Sequence, residues 1–412
     1  MYRWVSCLLL VGLLLNQSHS LLANSLASPT GQPPSLQLVQ YTPNWVGDRR
    51  CPTAQGASLY NQVVTGDCLT KEEIAPLAGL VDAAELIVRG RVQAIHSFWR
   101  ADQRIIESDV TIAVAYKLLG SPQQTVTIRT PGGYLAVEGI GMVSPHAATF
   151  AVGEEVIAFA YQRAGVWRTV GGATGKFLVV GDKVINADLA LLQPFAGLAP
   201  TIVALIQRRG LQSQLPIPWR HLTAAAASGT RQPVTAQRDH RKWAAPHAGA
   251  AFYLNLNTKQ MGDENGDRNA FRQAILAAAA SWSAVAGADF TLAYGGESNA
   301  TTTGYNGVNE VLFMHKGAQE RAAAAQVWYM ADQTIVEADI WINEDYDWNA
   351  TGTPDADEVD LQSALLHEFG HWLILGHSAD DHTVMFSRLT TGTLKRELQP
   401  PDEQGIRVIY PR

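Results

Sequence analysis

Cysteine is scarce, with 3 in 412 residues, too few for a disulfide scaffold. Charge is also thin: 17% of residues, a net of −7 and a pI near 5.9, which argues against a dedicated nucleic-acid binder. Glycine (35) and proline (19) are at ordinary levels beside 47% hydrophobic residues, so collagen, long coiled coil and wholesale disorder are excluded. Gly139-Ile140-Gly141 lacks a third glycine and a following helix, so it is no nucleotide loop. No apolar run reaches the roughly 20 residues that a membrane-spanning helix needs.

The N-terminus reads as an address. Arg3 precedes an apolar run from Trp4 to Leu15, and small residues follow at Ser20 and Ser25-Leu26-Ala27. This is the pattern of a secretory signal peptide, assigned to 1–27, and it implies an exported, extracellular protein with no transmembrane segment in the mature chain. Cys7 leaves with the signal. Cys51 and Cys68 remain, and in an oxidising compartment two lone cysteines most simply pair.

The rest divides by composition. Residues 28–79, rich in Pro, Gln, Ser and Thr, read as a loosely ordered segment. Over 80–200, short β-rich runs recur (Leu86–Val92, Val110–Tyr116, Thr125–Thr130, Glu155–Tyr161, Trp167–Val170, Phe177–Val180), punctuated by Gly, Pro and Asp. They predict an all-β module, a sandwich or small barrel. A short helix and linker occupy 201–247. Residues 248–412 mix strand patterns (Phe252–Asn257, Phe290–Tyr294, Glu310–Met314, Gln326–Met330, Thr334–Ile342) with helical ones (Asn269–Val285, Leu361–Leu373, Pro401–Ile409). No βαβ unit repeats, so the class is α+β. This last region holds 10 basic and 23 acidic side chains and the rest of the chain 21 and 15. The opposite signs permit the N-terminal module to dock on it.

The chemistry lies in Leu366-His367-Glu368-Phe369-Gly370-His371-Trp372-Leu373-Ile374-Leu375-Gly376-His377. Residues four apart on a helix share a face, so His367 and His371 can aim at one point and supply two corners of a zinc tetrahedron. His377 reaches a third corner only if the helix stops near Leu373 and the chain reverses. A continued helix would rotate it onto the wrong face. Glu397 and Glu403, further on, and the nearer Asp380 and His382 are the alternative third ligands. Glu368 need not bind metal. It can hold a water activated by the ion, take its proton and pass it to a leaving amine.

H-E-x-x-H with a third histidine at this offset resembles the metzincin zinc peptidases, and most closely the matrixins. His377-Ser378, the Met-turn-like Val384-Met385-Phe386 and the ending Leu398, Asp402, Gly405-Ile406, Ile409-Tyr410 fit the same family. So do Asn306-Gly307-Val308-Asn309 and Glu337-Ala338-Asp339-Ile340. The resemblance covers about 248–412. It implies a twisted mixed five-stranded sheet with three helices and one catalytic Zn2+ ligated by His367, His371 and His377. It also implies Glu368 as base and acid, Met385 beneath the metal, and latency as a zymogen. The family usually has glycine where this chain has Ile374, and left-handed backbone there would be an outlier for a β-branched residue. The propeptide cysteine of the family is only faintly matched by Arg50-Cys51-Pro52, which lacks the flanking glycine and acid. No second histidine cluster for a structural zinc lies between 310 and 340.

Asp263-Glu264-Asn265-Gly266-Asp267 alternates oxygen ligands like the start of a calcium loop, and Asp355, Asp357, Glu358 and Asp360 precede the zinc-motif helix; Ca2+ is a second candidate cofactor at either. Turn and helix-cap roles are the simpler reading. The expected function is secreted zinc-dependent hydrolysis of protein or peptide substrates, laid extended beside an edge strand at Val336–Ile342. The alternative is a secreted binding or adhesion protein with a structural zinc, for which Glu368 would have no use.

Overall fold

Period-two alternation organises the N-terminal half of this computed structural model. The structure describes 41–46, 49–54 and 69–211 apart from 103, 122, 187–188 and 190, then 241–244 and 248–412 apart from 263, 318–319 and 379. The signal-peptide assignment, most of 28–79 and 212–240, and the Cys51–Cys68 pairing lie outside these described residues. Residues Tyr41–Arg412 form one compact unit. Among the described residues no helix is long and apolar enough to cross a membrane.

Three short strands, β1 (Tyr41–Val46), β2 (Arg49–Ala54) and β3 (Leu69–Thr70), form a small sheet of their own ahead of helix α1 (Lys71–Ala83). Then come β4 (Leu86–Trp99), β5 (Ile106–Leu119), β6 (Thr125–Pro131), β7 (Gly133–Leu135), β8 (Ile140–Val143), β9 (Glu155–Arg163), β10 (Val166–Thr169), β11 (Lys176–Val180), β12 (Lys183–Asn186), β13 (Leu191–Pro194) and α2 (Phe195–Leu211). Eight of these strands make one sheet in the order β10-β6-β5-β4-β9-β11-β12-β13. A further β9–β10 pairing closes the first five into a ring. On β4 and β9, Leu86, Val88, Val156, Ala158 and Ala160 fill the ring. The alternate residues Ile87, Ile157 and Phe159 meet Leu77, Leu80, Leu198 and Ile202 of α1 and α2. Both faces of these strands are buried, so β9 reads as an almost continuous apolar run. The unit is therefore not purely β: two helices cover one face of its sheet.

The C-terminal half contains β14 (Ala248–Asn255), α3 (Arg268–Ser283), β15 (Phe290–Glu297), β16 (Glu310–Met314), β17 (Ala323–Met330) and β18 (Ile335–Asn343). The short β19 (Trp348–Asn349) and β20 (Val359–Asp360), then α4 (Leu361–Trp372) and α5 (Pro400–Ile409), complete it. Its own five strands run β15-β14-β16-β18-β17, parallel except for β17. Helix α3 presents Phe271, Ile275, Ala278, Ala279 and Trp282 to the core, at the spacing of one helical face. Its alanines let α4 approach closely, and Trp282 Nε1 donates to Leu366 O at 2.8 Å, tying the two helices together.

One expectation is corrected. Val336–Ile342 is not the edge of this sheet. It lies within β18, enclosed by β16 and β17, because sheet order departs from chain order. The two edges of the five strands are β15 and β17, and two strands from the N-terminal half cover β17. β8 pairs antiparallel with β17, from Met330↔Ile140 to Val327↔Val143, and β7 pairs with β8. A small shared core of Ile105, Ile106, Ile140, Met142 and Trp328 backs this joint. Tyr329 lies so close over Gly141 that an added Cβ would meet its ring at 2.3 Å, so any larger residue there would displace the tyrosine.

Candidate metal centre

The zinc-motif helix begins as its sequence indicates. Asp360 caps α4, its Oδ1 accepting the Ser363 N–H at 2.8 Å, and Arg396 closes on the same buried carboxylate. Asp267 caps α3 in the same way through Ala270 N–H at 2.8 Å. Glu358 accepts from Asn349 Nδ2 and from Asp355 N. These carboxylates serve helix starts and turns.

The end of α4 decides where His377 goes. Leu375 N–H donates to Gly370 O at 3.1 Å and Ile374 N–H to His371 O at 2.9 Å, the paired bonds of a Schellman cap. The left-handed residue of that cap is Ile374, at φ 64°, and the turn does not shift to Gly376. The strain, about 1–2 kcal/mol for a non-glycine residue, is tolerated because the side chain is 6% exposed and packed in the main core. Which term wins is testable. Ile374→Gly relieves the strain but removes a buried side chain, at roughly 2–5 kcal/mol. The variant should therefore lose about 1–3 kcal/mol in urea denaturation; a gain in stability would show that strain dominates.

The reversal brings His367, His371 and His377 together. Their ring centroids lie 4.7, 4.9 and 5.3 Å apart, and all three belong to one group whose donor atoms lie within 4.8 Å of one another. Glu397 and Glu403 are not in that group, while Asp380 and His382 sit in a different cluster with Asp381. His367 Nδ1 donates to Val384 O at 2.8 Å, and His371 Nδ1 donates to Leu375 O at 2.8 Å. With both Nδ1 protons committed, the Nε2 atoms of the neutral rings carry lone pairs. Those two atoms face each other at 3.0 Å. Lone pairs so placed repel unless a cation lies against both, and two zinc ligands at 2.0–2.1 Å in a tetrahedron stand about 3.3 Å apart. The donor set thus fits a zinc ion. Burial favours the neutral form of both imidazoles: it drives the His367 pKa down to about 4 and lowers that of His371 as well.

Met385 is fully buried beside the helix. At Gly370 an added Cβ would meet Met385 Sδ at 2.3 Å, so glycine lets the Met-turn close on α4. Asp402 of α5 holds that turn, accepting from Val384 N at 2.9 Å and Met385 N at 3.2 Å. It thereby sets the Val384 carbonyl that orients His367.

Glu368 is 4% exposed, and burial raises its pKa against the pull of His367 and the Ala325 N–H. Its Oε2 accepts that N–H, from edge strand β17, at 2.8 Å. Its Oε1 lies 3.1 Å from Nε2 of His146, a buried residue of the N-terminal half that stands 222 positions away in sequence. His146 belongs to the same donor group as the three motif histidines. Sequence reasoning missed it. Met142-Val143-Ser144-Pro145-His146 has no metal-site spacing, and the only signal was a histidine directly after a short apolar strand.

Comparisons with known proteins point the same way. The matrixin family model matches residues 251–411. Metalloendoproteinase 2-MMP of Arabidopsis thaliana is 36% identical over 74 residues, which is 17% of this chain and 20% of that protein. Metalloendoproteinase 1 of Glycine max is 39% identical over 67 residues, 15% and 22% of the two chains. Metalloendoproteinase 5-MMP of Arabidopsis thaliana is 44% identical over 52 residues, 13% and 14%. The chain spans about a fifth of the length of the first of these relatives. With the histidine cluster and the mixed sheet in place, residues 251–411 resemble a matrixin-like metzincin domain.

Proposed function

We propose that this protein is a secreted zinc-dependent endopeptidase in which His367, His371 and His377 hold the ion and Glu368 serves as general base and acid. The observation that carries the reading is the pair of Nε2 lone pairs 3.0 Å apart beside a buried carboxylate. A zinc ion held there supplies Lewis-acid polarisation of a scissile carbonyl and lowers the pKa of water towards ~7. The Ala325 N–H fixes Glu368 through Oε2 and leaves Oε1 directed at His146, on the side of the histidine cluster. Oε1 is thus the atom that takes a proton from the attacking water and returns it to the leaving amine. Burial, by favouring the protonated form, suits the second transfer. An extended peptide substrate would pair with β17 through main-chain hydrogen bonds, in the place β8 holds.

The competing reading is a binding protein with a structural zinc. The presence of His146 in the cluster favours it, since structural sites are closed by four protein ligands. Cleavage decides between them. The full chain, nicked by limited proteolysis before residue 248, should hydrolyse casein. A chelator should reduce that by at least about 100-fold, with recovery on adding zinc. Processed protein that carries one zinc per chain yet leaves casein intact would favour the structural reading.

A further inference from the structure

We propose that His146 is a fourth protein ligand to the metal, delivered by the β7–β8 hairpin, so that the chain as folded holds a closed four-histidine centre. The proposal rests on the zinc reading above and adds the regulation of that site.

Ring geometry is the first support. The six centroid separations among His146, His367, His371 and His377 run from 4.7 to 5.6 Å. Four rings at nearly equal mutual distances mark the corners of a near-regular tetrahedron, the geometry zinc prefers with nitrogen ligands. Three motif histidines fill three corners, and His146 stands at the fourth. Its Nε2 is 3.1 Å from Glu368 Oε1, the distance at which the proposed base would hold its water. Ligand and water therefore compete for one position.

The second support is how His146 is carried there. β8 runs antiparallel along β17 and ends opposite Val327, two residues from the Ala325 N–H that anchors Glu368. Ser144 and Pro145 then turn the chain over the metal centre. The turn is fixed at several points. Ala147 N–H donates to Ser144 O at 2.9 Å, Ala173 N–H to His146 O at 2.9 Å, and Thr130 Oγ1 to Ala148 O at 2.8 Å. At Gly172 an added Cβ would stand 2.1 Å from His146 O, so only glycine permits this approach. The side chain itself is 6% exposed. One short segment thus occupies both the sheet edge that a peptide would use and the coordination position that water would use. Withdrawal of the hairpin frees both at once. A change at β8 that weakens its pairing would open the metal as well.

Cobalt(II) in place of zinc in the full-length chain gives a readout independent of activity. The wild type should bind one Co2+ per chain, show a visible spectrum insensitive to millimolar azide, and fit to four imidazoles by X-ray absorption. His146→Ala should keep one Co2+ per chain, shift its visible spectrum, respond to azide, fit to three imidazoles, and release metal to a chelator about tenfold faster or more. A wild type that binds azide and fits to three imidazoles would overturn the assignment and leave the three-histidine site standing. If neither protein takes up stoichiometric Co2+, the zinc reading itself fails. The wild-type measurement decides the point even if the variant does not fold.

Discussion

Glu368→Gln should reduce peptide hydrolysis by the processed protein on the order of 10²–10⁴-fold while zinc content stays at one per chain. Glutamine keeps the shape of the side chain, and its amide oxygen can still accept the Ala325 N–H that now binds Oε2 at 2.8 Å. It cannot take a proton. On the proposed mechanism the loss should fall on kcat more than on KM, because the carboxylate would act in the transition state while the peptide would be held elsewhere, along β17. Zinc analysis with steady-state kinetics on the same preparation checks both halves. Equal cleavage by variant and wild type would remove Glu368 from the mechanism. Loss of zinc in the variant would instead assign it a structural part. The substitution is isosteric and removes a carboxylate from a buried site, so the fold should hold.

Asp402→Ala should destabilise the protein by about 3–5 kcal/mol, because three backbone donors lose their acceptor. Val384 and Met385 donate to it in the Met-turn, and Gln399 N–H donates at 2.9 Å to close the capping box of α5. Each buried donor left unpaired costs about 1–3 kcal/mol, partly offset because a buried carboxylate, whose pKa burial raises, is no longer desolvated. The effect should reach the metal. Val384 O orients His367 through Nδ1, and partners of this kind typically contribute 10–100-fold to metal affinity. Urea denaturation with and without zinc, followed by chelator competition, measures both losses. A stability change below about 1 kcal/mol would mean that the Met-turn closes without its carboxylate.

Much of the C-terminal half was legible in the sequence because its information is local. His367 and His371 share a face by helical spacing alone. Asp360 is followed by an apolar-periodic run and caps it. The strands recorded as β14 to β18 alternate or run apolar over a few residues between turns. The turn at Val384-Met385 was marked in the sequence only by the family resemblance, and the Asp402 contacts that hold it were not marked at all. His377 was half legible. Its distance from His371 demanded a reversal, but the residue that makes the reversal is isoleucine at φ 64°, and propensity gives no hint that a β-branched residue will sit there. Burial in the core overrides the local preference.

The hairpin and its histidine were out of reach. Pairing of β8 with β17 joins residues nearly two hundred positions apart, and a four-residue strand carries no mark of its partner. The same holds for the position of β18: hydrophobic pattern places a strand in a sheet but not in an order, so interior and edge look alike. The sequence by itself determined the helix that sets His367 and His371 on one face, the glutamate beside them and the α+β character of the domain around it, because these follow from periodicity and spacing within one turn or one strand. Only the tertiary structure decided which strands are the edges, what covers β17, and which residue meets the three histidines from the other side. Those are contacts between segments distant in the chain, selected by packing and main-chain pairing rather than by any local preference.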